Sequence, residues 1–124
     1  MNDGARTAFA DVIGEGDQTA LLLDREGRVI AGLYLDSQGA DVSGEIGIAL
    51  GPVGAEAARA MRHLGMGEWR AIVCECTDAN LALAPGNADD VVVVAASPLV
   101  PIGYVRRLLD IAVARATDWQ REAA

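Results

Sequence analysis

Between Thr19 and Leu35 the chain is apolar except at one polar knot. Ala20–Leu23 and Val29–Leu35 are apolar runs, and Asp24-Arg25-Glu26-Gly27 stands between them. An Asp at the start of a turn accepts backbone N–H bonds through its carboxylate, and a Gly at its end supplies positive φ. The pattern predicts a β-hairpin. Neither run alternates with polar residues, and strands apolar on both faces are covered on both. The hairpin is therefore expected inside a sheet, with helices above and below.

The periodicity elsewhere supplies the remaining elements. Ala8, Phe9, Val12 and Ile13 recur at helical spacing and predict a short helix over Ala5–Ile13, ended by Gly14 and Gly16. Asp36–Gly44 is polar and reads as a loop. From Gly44 to Leu64, the residues Ile46, Leu50, Val53, Ala57, Ala60 and Leu64 fall at intervals of 4, 3, 4, 3 and 4, a heptad-like seam. Ala49, Ala58 and Met61 widen the stripe, while Glu45, Glu56, Arg59 and Arg62 fall off it. Pro52 lacks an N–H and crowds the carbonyl four residues back, so Gly51-Pro52 is expected to kink or break this helix. Gly65 and Gly67 end it. So wide a band fits either a plain core helix or a helix with a second partner.

Glu68–Cys76 alternates in part and predicts a strand, more polar than the first two and so nearer an edge. A turn follows at Thr77–Asn80, then a short strand at Leu81–Ala84, ended by Pro85-Gly86, and a loop at Asn87–Asp90. Val91–Ala96 is apolar and largely β-branched, as in a central strand. Pro98 and Pro101 bracket a turn, with Pro101 suited to a first helical position. Ile102, Val105, Leu108, Leu109, Ala112, Val113, Ala116 and Trp119 then mark an amphipathic helix to about Gln120. The order is α-β-β-α-β-β-β-α. There is no internal repeat or linker, so residues 1–124 are expected to form one domain.

Composition narrows the function. Hydrophobic residues make up 52% and aromatics only 4%, so the core must be aliphatic. The net charge of −8, with Arg as the only strongly basic residue type, disfavours nucleic acid and anionic membrane surfaces. No apolar run reaches the length of a bilayer span. Met1-Asn2-Asp3-Gly4 lacks the basic start of a signal peptide, and a cytoplasmic location is expected.

Chemistry-bearing residues are few. Cys74 and Cys76 lie two apart on one strand, with Cα atoms roughly 6.5–7 Å apart, at the outer limit for a disulfide. With His63 the sole histidine, a four-ligand zinc site is not expected. A nucleophilic pairing of either Cys with His63 lacks an oxyanion hole. The glycines follow no phosphate-loop spacing, and no Lys is present to reach a phosphate. Asp89-Asp90 reads as a solvated loop pair. No catalytic residue, cofactor or metal ligand is expected.

The hairpin Ala20-Leu21-Leu22-Leu23-Asp24-Arg25-Glu26-Gly27-Arg28-Val29-Ile30-Ala31 resembles that of the roadblock/dynein-light-chain domain family. Further matches are the helix ending in Leu64-Gly65-Met66-Gly67, the strand Val91–Ala96 and the closing Val100-Pro101-Ile102-Gly103-Tyr104-Val105-Arg106. Together they cover about Asp17 to Trp119. The first helix is shorter than the family's, and Gly51-Pro52 interrupts the second. The resemblance implies an α/β (α+β) fold, a five-stranded, mostly antiparallel sheet with helices on both faces, of roadblock/profilin-like architecture.

Roadblock chains pair their second helices antiparallel and join sheets through the strand that follows. Here that implies a homodimer through Gly44–Leu64 and Glu68–Cys76, with Ile46, Leu50, Val53, Ala57, Ala60, Leu64 and Trp69 at the interface. Bacterial members act beside small Ras-like GTPases as activators or scaffolds without an active site of their own. Glu56, Arg59, Arg62 and His63, off the seam, are the residues this implies for partner binding. The alternatives are an assembly adaptor with no effect on GTP hydrolysis, and a small-molecule sensor.

Overall fold

The computed structural model describes residues 8–13, 19–36, 38–87 and 89–123. In chain order its elements are α1 (Ala10–Ile13), β1 (Thr19–Leu23), β2 (Val29–Leu33), α2 (Ser43–His63), β3 (Ile72–Glu75), β4 (Asn80–Pro85), β5 (Val91–Ala96) and α3 (Ile102–Ala123). The part of the first helix expected over residues 5–7, and Gly14 and Gly16 expected to end it, lie outside the described residues.

The five strands form one sheet in the order β2-β1-β5-β4-β3, and every pairing is antiparallel. β1 and β5 lie in the interior and are buried along their whole length, as unbroken apolar runs require. The hairpin forms, but only β1 lies inside; β2 is an edge strand. Val29, Ile30 and Leu33 are half-buried there. An apolar edge strand with partial cover has the same sequence pattern as a buried one, which is why the expectation failed for β2. β3 sits at the opposite edge, where its polar alternation placed it.

The strand alternation sends the core to both faces. On one, Ala20, Leu22, Val92, Val94 and Ala82 pack against Phe9, Val12 and the α3 residues Val105, Leu109, Ala112 and Ala116. On the other, Leu21, Leu23, Leu83, Val91 and Val93 are joined by Ile46 and Leu50 of α2 and by Trp69, Ile72 and Leu81. Each Leu fully removed from water stabilises the fold by about 1.5–3 kcal/mol. The side chain of Asn80, nearly buried, donates to the Val100 carbonyl at 2.9 Å and ties the turn before α3 to the sheet.

Several boundaries moved. β3 is shorter than Glu68–Cys76, and α3 begins at Ile102, with the Pro101 carbonyl accepting from Tyr104 and Val105 N–H. The expected break at Gly51-Pro52 does not split α2, which runs on from Ser43 to His63. Pro52 is exposed, so its ring points to solvent. The residue before it is glycine, which has no Cβ to clash with the ring.

Candidate functional site

The helix α2 is anchored at its start by side chains and along its length by glycine. The Asp41 carboxylate accepts from Ser43 N–H at 3.0 Å and from the Ser43 hydroxyl, whose oxygen in turn accepts from Tyr34 N–H at 2.7 Å. The residues that bury against the domain are Ser43, Gly47, Gly51 and Gly54, spaced 4, 4 and 3. The hairpin turn lies directly beneath Gly47 and Gly51, and the Val91 side chain beneath Gly54. A Cβ added at Gly51 would sit 2.5 Å from Gly27 Cα, and one at Gly47 would collide with the Gly27 carbonyl. Gly27 itself has φ 89°, a conformation that favours glycine. The helix therefore docks main chain to main chain.

The turn is held rigid for this contact. Asp24 accepts from Glu26 N–H and Arg28 N–H, both at 2.9 Å, and from Arg28 Nε at 2.8 Å. Those bonds hold its carboxyl below the usual carboxylate range, with the Arg28 side chain the main cause.

Docking through glycines turns the seam away from the sheet beneath the helix. Ile46 and Leu50 are half-buried against the sheet, Ala57 and Ala60 are half-buried, and Val53 and Leu64 are 39% and 63% exposed. Met66, just past the helix, is 70% exposed. On the same side of the sheet, Ile72 and Cys74 of the edge strand and Leu81 beside it are only half-buried. The outer part of the seam and these residues leave apolar side chains exposed or half-buried on α2 and at the β3 edge, on one side of the sheet. Trp69 is half-buried and spends part of its surface within its own chain, against the cluster of Leu83 and Val91.

Glu56, Arg59, Arg62 and His63 are all exposed. Arg59 forks onto Glu56, with its Nε donating to one carboxylate oxygen at 3.0 Å and its NH2 to the other. The Arg59 guanidinium holds the Glu56 carboxyl below its ordinary value. Cys74 and Cys76 are free thiols, half-buried and exposed respectively.

Sequence reasoning missed two features. One is the buried glycine stripe, whose 4-4-3 spacing was legible. The other is a cleft of about 450 Å³ between Arg28, Val29, Ser43 and Ile48, which depends on a helix-to-turn approach that no local pattern shows. The charge of Arg28 there is already engaged by Asp24 and Glu26. Among the described residues, no three His, Cys, Asp or Glu side chains are placed to hold a metal ion, and no helix is long and apolar enough to cross a membrane.

No family model matches the chain, and no curated protein matches it. Solved structures do. The gliding protein MglB from Thermus thermophilus superposes with a TM-score of 0.75 at 18% identity, over 98% of this chain and 95% of that one. MglB from Myxococcus xanthus superposes at 0.76 and 16% identity, over 100% and 96%. A roadblock/LC7 domain from Streptomyces avermitilis does so at 0.76 and 14% identity, over 94% and 97%. The likeness at these identities is one of architecture: the chain has the roadblock/LC7 fold.

Proposed function

We propose that this chain is a non-catalytic regulator or scaffold that works as a homodimer and binds a small Ras-like GTPase. The observation that carries the reading is the apolar surface left open on α2 and the β3 edge. Such a surface suits a second helix rather than a small polar ligand, and a second copy of α2 covers it. Packing two copies antiparallel sets their helix dipoles in opposition, which favours that occupant. Leu64 and Met66, exposed at the end of the helix, extend the same contact.

The choice of a GTPase rests on the resemblance of the hairpin and closing helix to bacterial roadblock chains, and agrees with the architecture shared with MglB. In the dimer Glu56, Arg59, Arg62 and His63 remain on the outer surface of the paired helices. Arg suits such a surface because its guanidinium forks onto carboxylates and is enriched at interface hot spots. One GTPase that covers the two-fold axis gives one partner per dimer.

Light scattering at micromolar concentration tests the dimer, and a monomer of 12.9 kDa overturns it. Binding of a GTP-loaded Ras-like GTPase from the same cell tests the function, with the GDP form expected to bind more weakly. Equal binding of both forms overturns the regulator reading. Phosphate release measured in the same mixture separates an activator from an adaptor that leaves hydrolysis unchanged.

A further inference from the structure

We propose that Cys74 closes an intermolecular disulfide across the two-fold axis of the dimer, onto the partner's Cys74 or Cys76, and so gives the assembly an oxidant-sensitive covalent lock. The inference rests on the dimer reading above and adds the register of the joined edge strands.

The argument begins with the faces of β3. Pairing with β4 sets Ile72 opposite Leu83 and Cys74 opposite Leu81, and Leu81 and Leu83 belong to the cluster under α2. Ile72 and Cys74 therefore lie on the α2 side of the sheet, and alternation carries Cys76 with them. Val73 and Glu75 point the other way. Among the described residues no strand neighbours the outer edge of β3, and its backbone groups can pair with a second copy.

Symmetry then restricts the register. If two α2 helices pack against each other, both lie on one side of the joined sheet, so the two-fold axis is perpendicular to it. Such an axis keeps each residue on its own face, and residues directly opposite in an antiparallel pair share a face. Every cross-axis pair must then join two even-numbered or two odd-numbered residues, and the axis must pass through a residue rather than between two. Of the four axis positions within β3, Ile72 and Val73 bring no two thiols together, Cys74 sets Cys74 against its own symmetry mate, and Glu75 sets Cys74 against the partner's Cys76, twice. The lock requires one of the last two.

In either register the opposed Cα atoms are about 4.5–5.5 Å apart, inside the range a disulfide spans. Within one strand the two thiols are roughly 6.5–7 Å apart by Cα, at the outer limit of that range. The geometry thus favours the bond between chains over the bond within one. In the separate chain Cys76 is exposed and Cys74 half-buried, so an oxidant reaches a thiol before the partner covers β3.

The oxidant is a peroxide. A thiolate sulfur attacks the O–O bond, takes one oxygen as a sulfenic acid, and the other oxygen leaves as water. The opposing thiol sulfur then displaces the sulfenic hydroxyl as a second water, and the S–S bond forms. Two thiols and one hydrogen peroxide give one disulfide and two waters. A dithiol reductant reverses the step.

The test uses the full chain and the single variants C74S and C76S. Under reducing conditions light scattering reads the non-covalent state of each. After hydrogen peroxide, non-reducing electrophoresis reads the covalent state. The expected result is a wild-type band at twice the 12.9 kDa chain mass, lost with dithiothreitol and absent in C74S. In C76S the band persists with the axis at Cys74 and is lost with the axis at Glu75; both agree with the proposal. A dimer in reducing buffer that peroxide does not cross-link overturns the lock and leaves the dimer standing. A covalent dimer that persists in C74S also overturns it, since random contact of the exposed Cys76 then suffices. A wild-type monomer in reducing buffer overturns both readings.

Discussion

Replacing Gly51 by Ala sets two effects of opposite sign against each other. In a helix interior Ala is favoured over Gly by roughly 0.5–1 kcal/mol. Against this, the new Cβ would stand 2.5 Å from Gly27 Cα. Two carbons sit best about 3.5–4.0 Å apart, so α2 must lift by about 1 Å or the turn must yield. No flexible side-chain end is available to give way. Gly27 is tied by its N–H to the Asp24 carbonyl at 3.0 Å, and Asp24 is tied to the two residues beyond. Overpacking of this kind costs about 1–3 kcal/mol, which leaves a net destabilisation of about 1 kcal/mol, and at most about 2.5 kcal/mol, once helix propensity is subtracted. The expected fall in Tm is roughly 3–8 °C for a domain of this size. Urea titration and thermal melting followed by circular dichroism measure it. Gly44 is the control, because it lies in the same helix with open space around its Cβ position. Gly44→Ala should be neutral or mildly stabilising. If Gly51→Ala matches Gly44→Ala, the close approach of helix and turn is wrong.

Four further outcomes are expected. Ala57→Glu places an unpaired charge in the closed helix pair, which is costly, and light scattering should show a monomer with the far-ultraviolet spectrum unchanged. Changing Arg59 and Arg62 together to Glu should weaken GTPase binding by at least ~2 kcal/mol, about thirtyfold, while the dimer stays intact; unchanged binding places the contact elsewhere. Asp24 has a lowered folded-state pKa, so its contribution is present above the unfolded value of about 4 and lost as pH falls through the folded one. Asp24→Asn should be less stable than wild type at neutral pH, and urea titrations should show the gap closing at lower pH. Calorimetry with GTP, GDP or ATP should show no binding tighter than about millimolar, a level worth only ~4 kcal/mol; micromolar binding would favour an enzyme.

The elements were legible because each rests on its own residues. Asp24 and Gly27 announce the hairpin turn, Val91–Ala96 a buried strand, and Ile102 to Trp119 a helix with one apolar face. What hid was relative placement. The apolar residues of β2 gave no warning of an edge, since partial cover by α2 and full cover by two layers need the same side chains. The seam from Ile46 to Leu64 was read either as the surface on which α2 packs or as the face of a second partner. In fact α2 seats itself through residues with almost no side chain, Ser43, Gly47, Gly51 and Gly54, and hydrophobicity cannot register a contact made by glycine. The same blindness explains Pro52. A rule about one residue predicted a break, and the helix runs through it from Ser43 to His63. The exposed residues Glu56, Arg59, Arg62 and His63 were found by falling off the seam.

The backbone contact between α2 and the β1–β2 turn also has a mechanical meaning. Contacts between side chains absorb movement by changing rotamer, whereas contacts between main chains have no such slack. The turn reaches onward through the ion pair of Arg25 with Asp89, 3.5 Å apart, to the loop that precedes β5. Helix and turn are thus one rigid corner, whereas the link from the turn to the loop is an exposed ion pair and yields easily.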